Sequence, residues 1–144
     1  PGEGSKSLEE IASSGEIARV MLALKSVLAS HDTIGTLVFD EIDANVGGET
    51  GRTVGEKMRA VAEGRQVVAI THLPQSAVYG ARHFAVSKSV SGGRTRTTAV
   101  CLSGEARIAE IARMLGGGAE GGVVYRHARE LLQSASLKNG QKMV

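Results

Sequence analysis

Thr36-Leu37-Val38-Phe39-Asp40-Glu41 is the stretch on which the fold turns. A short apolar run that stops at two carboxylates reads as a buried parallel strand, hydrophobic on both faces, with its ligand-facing end at the carboxyl terminus. Downstream, Gly47, Gly48 and Gly51 mark a loop, and Thr53 to Glu63 predicts a helix carrying Val54, Met58 and Val61. Gln66-Val67-Val68-Ala69-Ile70-Thr71 is a second buried strand that ends at His72. Strand, helix and strand over 36–72 make a right-handed parallel crossover unit. Upstream, Ser13-Ser14-Gly15-Glu16 introduces an amphipathic helix whose Ile17, Val20, Met21, Leu24, Val27 and Leu28 share one face. Pro1 to Ser7 is rich in glycine and serine and reads as a loop.

Beyond His72, Leu73-Pro74 opens a short helix to about Ala81. His83 to Val90 and Thr95 to Leu102 predict a hairpin around a four-residue loop, Ser91-Gly92-Gly93-Arg94. Ser103 can cap a helix over Glu105 to Leu115, which Gly116-Gly117-Gly118 stops. Val123 to Ala135 is helical by pattern, and Ser136 to Val144 reads as a frayed tail. The class is α/β: a mainly parallel sheet flanked by helices, with an antiparallel hairpin. The division expected is a lobe over 1–118, followed by a helix and tail over 119–144.

Composition narrows the function class. A chain of 144 residues with 42% hydrophobic and 22% charged residues suits one compact globular domain. The net charge of +2 permits contact with nucleic acid without arguing for it. Cys101 is the one cysteine, so no internal disulfide forms, which fits a reducing compartment. No apolar run approaches the roughly 20 residues that cross a bilayer, and the first residues lack the apolar core of a secretory signal. A cytoplasmic location with no membrane partner is expected.

Three elements carry chemistry, and each also has a purely structural reading. Adjacent carboxylates at the end of a buried strand sit where open α/β sheets bind ligands; in nucleotide hydrolysis the first holds Mg²⁺ and the second polarises water. The same pair could be an acidic turn. His72, ending the next strand, could donate to a terminal phosphate or simply be satisfied in a turn. A Ser/Gly helix start points backbone N–H groups and a positive dipole end at an anion, yet Ser13 and Glu16 also have the spacing of a capping box.

Order and spacing are more specific than any single element. Asp40-Glu41 follows Glu16 by 24 residues, and His72 follows Glu41 by 31. In that order Ser13-Ser14-Gly15-Glu16 resembles the signature motif of the ABC ATPase superfamily, Phe39-Asp40-Glu41 its Walker B motif, Glu41-Ile42-Asp43 the D-loop continuation, and Ala69-Ile70-Thr71-His72 its switch histidine. Ile70-Thr71-His72-Leu73-Pro74-Gln75, Val86-Ser87-Lys88 and the segment from Ala106 to Gly117 resemble the DNA-repair branch of that superfamily, the RecN family. The resemblance covers about residues 8–118. It implies a partial P-loop NTPase lobe of the ABC head type and two heads sandwiching ATP with Mg²⁺. By that resemblance Ser13, Gly15 and Glu16 contact nucleotide in trans, Asp40 supports Mg²⁺ through water, Glu41 is the base or water-positioning residue, His72 meets the γ-phosphate, and Asp43 lies between heads. The partners implied are an N-terminal lobe carrying the phosphate loop, a second identical head, and DNA through the full-length protein.

Two departures bear on that picture. Ser14 stands where the signature normally has its first glycine, and a Cβ there would restrict phosphate approach if the turn needs φ > 0. No stretch reads G-x-x-x-x-G-K-[ST]; Gly47 to Thr53 is glycine-rich but has no lysine. The chain is therefore expected to be a fragment that does not hydrolyse ATP alone. Leu102-Ser103-Gly104-Glu105 matches the signature pattern too, but it follows the histidine and reads as a helix cap. Other readings remain open: a non-enzymatic α/β interaction domain, an ABC-type head serving transport or chromosome organisation, or DNA contact through Arg82, Lys88, Arg94 and Arg96, cations that also suit a solvated face.

Overall fold

A computed structural model describes residues 12–28, 31, 33–117 and 120–140. The expected loop over Pro1 to Ser7, the end of the expected tail and Gly118 lie outside them. The chain divides into two compact units, one up to Ser76 and one from Ala77 onward. The fold is mixed α/β, with a parallel sheet, an antiparallel hairpin and helices.

The first unit runs α1 (Ser14–Val27), β1 (Thr36–Phe39), α2 (Gly48–Val61) and β2 (Gln66–Ala69), and ends within α3 (Pro74–Ala77). Strands β1 and β2 pair in parallel, Thr36 opposite Gln66 and Phe39 opposite Ala69, so both release their following loops at the same sheet end. Leu22 of α1, Phe39 and Ile42, and Val54, Met58 and Val61 of α2 form the core. The strands are covered on one face only. Val38 is 66% exposed and Val68 43%, so one face of a strand pair written apolar on both sides stands open. The stripe on α1 behaves likewise: Ile17, Val20, Met21, Leu24, Val27 and Leu28 are all exposed, and the helix packs instead through Gly15 and Leu22.

Helix α2 begins at Gly48, five residues before the expected Thr53. Glycine is a poor helix former, but packing compensates here. A Cβ on Gly51 would lie 2.8 Å from Leu73 Cδ1, and one on Gly48 3.2 Å from Gln75 Nε2, so these glycines let segment 73–76 close on the helix. The Ser76 hydroxyl, buried, donates to Gly51 O at 2.9 Å. The glycine-rich run is thus a helix start and not a loop.

The second unit holds β3 (His83–Ser91), β4 (Arg94–Leu102), α4 (Gly104–Met114) and α5 (Val123–Gly140). The hairpin turns on two residues, Gly92 and Gly93, with φ of 58° and 73°. Both glycines left-handed is the turn that matches strand twist, which is why the loop is shorter than the expected four residues. Helix α5 continues to Gly140, through most of the expected tail, because Ala128 and Ala135 pack it on Ile111 and Ala112 of α4. Ser103 stands at the N-cap of α4 but its side chain makes no capping bond.

Candidate functional site

The carboxyl ends of β1 and β2 gather most of the candidate residues. The chain leaves β1 through Asp40 and Glu41, and Glu41 adopts a left-handed backbone, φ 54°. Ala44 N–H donates to Glu41 O at 2.9 Å, closing a tight turn, and Asn45 is left-handed too, φ 59°. Arg19 of α1 fastens this turn, its Nη1 donating to Ile42 O at 3.1 Å and Ala44 O at 3.2 Å.

Helix α1 meets the same turn with its first residues. The Ser14 hydroxyl donates to Glu41 Oε2 at 3.0 Å. Gly15 is buried, and a Cβ on it would sit 2.9 Å from Glu41 O and 3.3 Å from Ala44 Cβ. Close approach of the turn therefore requires glycine at position 15. Ser14 is not among the left-handed residues, so the condition under which its Cβ would restrict the turn is not met. Ser13 and Glu16 form a reciprocal capping box. The Ser13 backbone N–H and hydroxyl both donate to Glu16 Oε2 at 2.8 Å. Those two bonds, the backbone one foremost, hold the Glu16 carboxyl below its ordinary value, against a small effect of burial. The structural reading of this pair is realised.

On the other side of the turn, Asp43 is fully buried. The Thr71 hydroxyl donates to Asp43 Oδ2. His72 Nδ1 lies 3.6 Å from Asp43 Oδ1, within ion-pair range should the imidazole carry a proton there, and the His72 side chain is 68% exposed. Asp40 points to the surface and has neither a hydrogen bond nor an ion pair among the described residues. No group of three or more His, Cys, Asp and Glu able to hold a metal occurs among the described residues. A Mg²⁺ ion needs no such cage, since it keeps its waters and takes one or two carboxylates plus phosphates; the open Asp40 carboxylate fits that role.

Structure thus brings Ser14, Gly15 and Glu41 together, places His72 against Asp43 on the other side of the turn, and leaves Asp40 outward. Sequence reasoning missed Arg19 and Thr71, which hold the turn and the carboxylate. Thr71 lies next to a singled-out histidine, whereas the role of Arg19 depends on backbone carbonyls that no pattern displays. The second signature-like stretch is occupied otherwise: Glu105 accepts from Tyr125 Oη at 2.6 Å and from Arg129 Nη2 at 2.9 Å, both on α5. Arg107, within the segment that resembled the repair family, donates to Gly80 O at 2.7 Å and Val78 O at 3.2 Å.

No family model matches the chain. Its similarity to single proteins is extensive. It is 49% identical over 135 residues to the DNA repair protein RecN of Treponema pallidum, covering 94% of this chain and 24% of that protein. Against RecN of Bacillus subtilis it is 42% identical over 134 residues, 93% of this chain and 23% of that one. For Deinococcus radiodurans RecN the figures are 45% over 132 residues, 92% and 23%. The chain spans about a quarter of the length of these relatives. A solved chain from work on the ATP-driven dimerisation and DNA-stimulated activation of SMC ATPases shares the fold, with a TM-score of 0.53 at 22% identity, covering 83% of this chain and 70% of that chain. Among the described residues no helix is long and apolar enough to cross a membrane. Over nearly its whole length the chain is similar to one segment, about a quarter, of RecN proteins.

Proposed function

We propose that the chain is the signature-and-Walker-B part of the ATPase head of a RecN-type protein acting in recombinational repair of DNA double-strand breaks. The observation that carries this is the single turn 40–45, which holds Glu41 against the start of α1 and Asp43 against His72. Bound between heads, MgATP would supply the phosphoanhydride that is cleaved. Asp40 would hold the ion through its waters. Glu41 would orient the attacking water and take its proton, its carboxylate having acceptor sites beside the one that Ser14 fills. His72, on the exposed side, would touch the terminal phosphate. Ser13, Gly15 and Glu16 would face the nucleotide held by the opposite head; with the Ser13 hydroxyl committed to the capping box, the helix dipole and the first N–H groups of α1 carry that role. Asp43 has no exposed surface, so its part in a head-to-head contact would pass through the turn that it anchors.

The exposed stripe of α1 and the open face of β1 and β2 support an N-terminal lobe, carrying the phosphate loop, as the partner that covers them. Two such completed heads would then close on ATP as a homodimer, with DNA engaged by the full-length protein in the cytoplasm, at the nucleoid. ATP turnover by this chain mixed with a separately made phosphate-loop lobe tests the reading. Activity should arise only on mixing and fall by at least about a hundredfold in Glu41→Gln, since that removes the general base. A stable complex of the two lobes without turnover would sink it. The capping box and the packing need at Gly15 favour one other reading, an interaction domain whose motif residues are structural; repair function that survives Asp40→Ala in the full-length protein would select it.

A further inference from the structure

Asp43 is fully buried, yet only one of its carboxylate oxygens is satisfied. Oδ2 accepts the Thr71 hydroxyl. Oδ1 has no hydrogen-bond partner. Buried carboxylate oxygens without partners are costly and uncommon, and each calls for an explanation. The group that faces Oδ1 is His72 Nδ1, at 3.6 Å, a few tenths of an ångström beyond hydrogen-bond range. Thr71 restrains the carboxylate: while its hydroxyl hydrogen goes to Asp43, its oxygen accepts Leu73 N–H at 3.0 Å. Parallel pairing of β1 and β2 sets this up, because both strands send these residues out at the same sheet end.

We propose that Asp43 is a positioning residue for His72, a buried carboxylate held by Thr71 that takes the Nδ1–H and thereby fixes the tautomer and direction of the ring. A small rotation of His72 closes the gap and satisfies Oδ1. The ring's other nitrogen, Nε2, is then the one offered to a ligand. In the neutral ring Nε2 presents a lone pair that can take a hydrogen from water; in the doubly protonated ring it becomes a donor to a phosphate oxygen. Without the carboxylate, either nitrogen could carry the proton and the contact with phosphate would lose its single geometry. The effect on turnover rests on His72 meeting the terminal phosphate, as proposed above; the pairing of Asp43 with His72 does not.

Nitrogen-15 NMR of the His72 ring in this 144-residue chain decides the pairing. The wild-type ring should carry its proton on Nδ1. Asp43→Asn, close in volume but with an amide N–H₂ in place of one oxygen, should move the proton to Nε2, and Thr71→Val, which releases the carboxylate, should give a mixture. A wild-type ring already protonated on Nε2 overturns the proposal even if no variant folds, and so does a ring unmoved by Asp43→Asn. In the assembled head, Asp43→Asn should lower kcat by about tenfold to a hundredfold with little change in KM, the range over which partners that orient a ligating histidine act. A loss in His72→Ala with none in Asp43→Asn overturns the positioning role. Undiminished turnover in His72→Ala would instead remove the phosphate contact itself, and the ring's tautomer would still decide whether Asp43 holds it.

Discussion

Helices α1 and α4 both carry an apolar stripe, and they meet opposite circumstances. On α4, Ile111 and Ala112 are buried, and α5 covers them with Tyr125, Ala128 and Ala135. On α1 the stripe from Ile17 to Leu28 is exposed, with Val27 at 80%, and the helix spends its contacts on the turn after β1 instead. The second unit supplies the cover for its own helix. The first presents an apolar layer together with the polar turn that holds the candidate site. Stability and site are thus divided along the chain: one helix pair closes on itself, while the other unit leaves its apolar layer exposed.

Several changes would break or sharpen this contrast. The largest effect is expected from Ile111→Ala, which should lower the stability of the second unit by about 2–5 kcal/mol in urea denaturation, the range for emptying a buried aliphatic site. A cost well under 1 kcal/mol would mean that α4 and α5 do not form a self-sufficient core. Polar replacement on α1, Val20→Ser with Leu24→Ser, should change the stability of this chain by only about 0.5 kcal/mol. The same pair should weaken binding of the phosphate-loop lobe at least tenfold by calorimetry. If the double change instead destabilised the chain as Ile111→Ala does, the stripe would already be covered in solution and the contrast would fail.

The smallest effect concerns Glu105. The Tyr125 hydroxyl above all holds its carboxyl below the ordinary value, with burial opposing it and the Arg129 guanidinium adding to it. The same bond raises the Tyr125 phenol, so the pair is intact through neutral pH. A carboxyl depressed in the folded state contributes stability above its unfolded value, and that contribution fades as pH falls below about 4 and through the folded value. Tyr125→Phe should therefore cost a little stability at pH 7, and the difference from wild type should shrink on acidification. A difference that is constant from pH 7 to pH 3 would assign the loss to packing alone.

Much of this architecture is legible in the residues. The apolar run ending in Asp40-Glu41 and the one ending near His72 read as parallel strands because each is apolar on both faces, and the two do pair in parallel. The helix of the second unit is legible from Ser103 to Leu115 because its stripe and its stop signals are local. What periodicity does not disclose is whether an apolar face is covered, which depends on a partner surface and leaves no mark within the helix. Non-local contacts are hidden for the same reason. Gly48 and Gly51 read as loop until Leu73 and Gln75 are seen packing against them. Ser14 reads as a defect in a glycine turn until its hydroxyl is found on Glu41. The extension of α5 to Gly140 follows from Ala135 meeting the core, in a stretch whose composition alone suggests a tail.

The left-handed backbone at Glu41 sets two demands against each other at one residue. Holding a side chain other than glycine in that conformation costs on the order of 1–2 kcal/mol. Glycine would recover that cost and would also shed the carboxylate that the turn aims at the start of α1. Thermal tolerance and retention of a carboxylate at the start of α1 therefore favour different residues at position 41, and the chain carries the carboxylate.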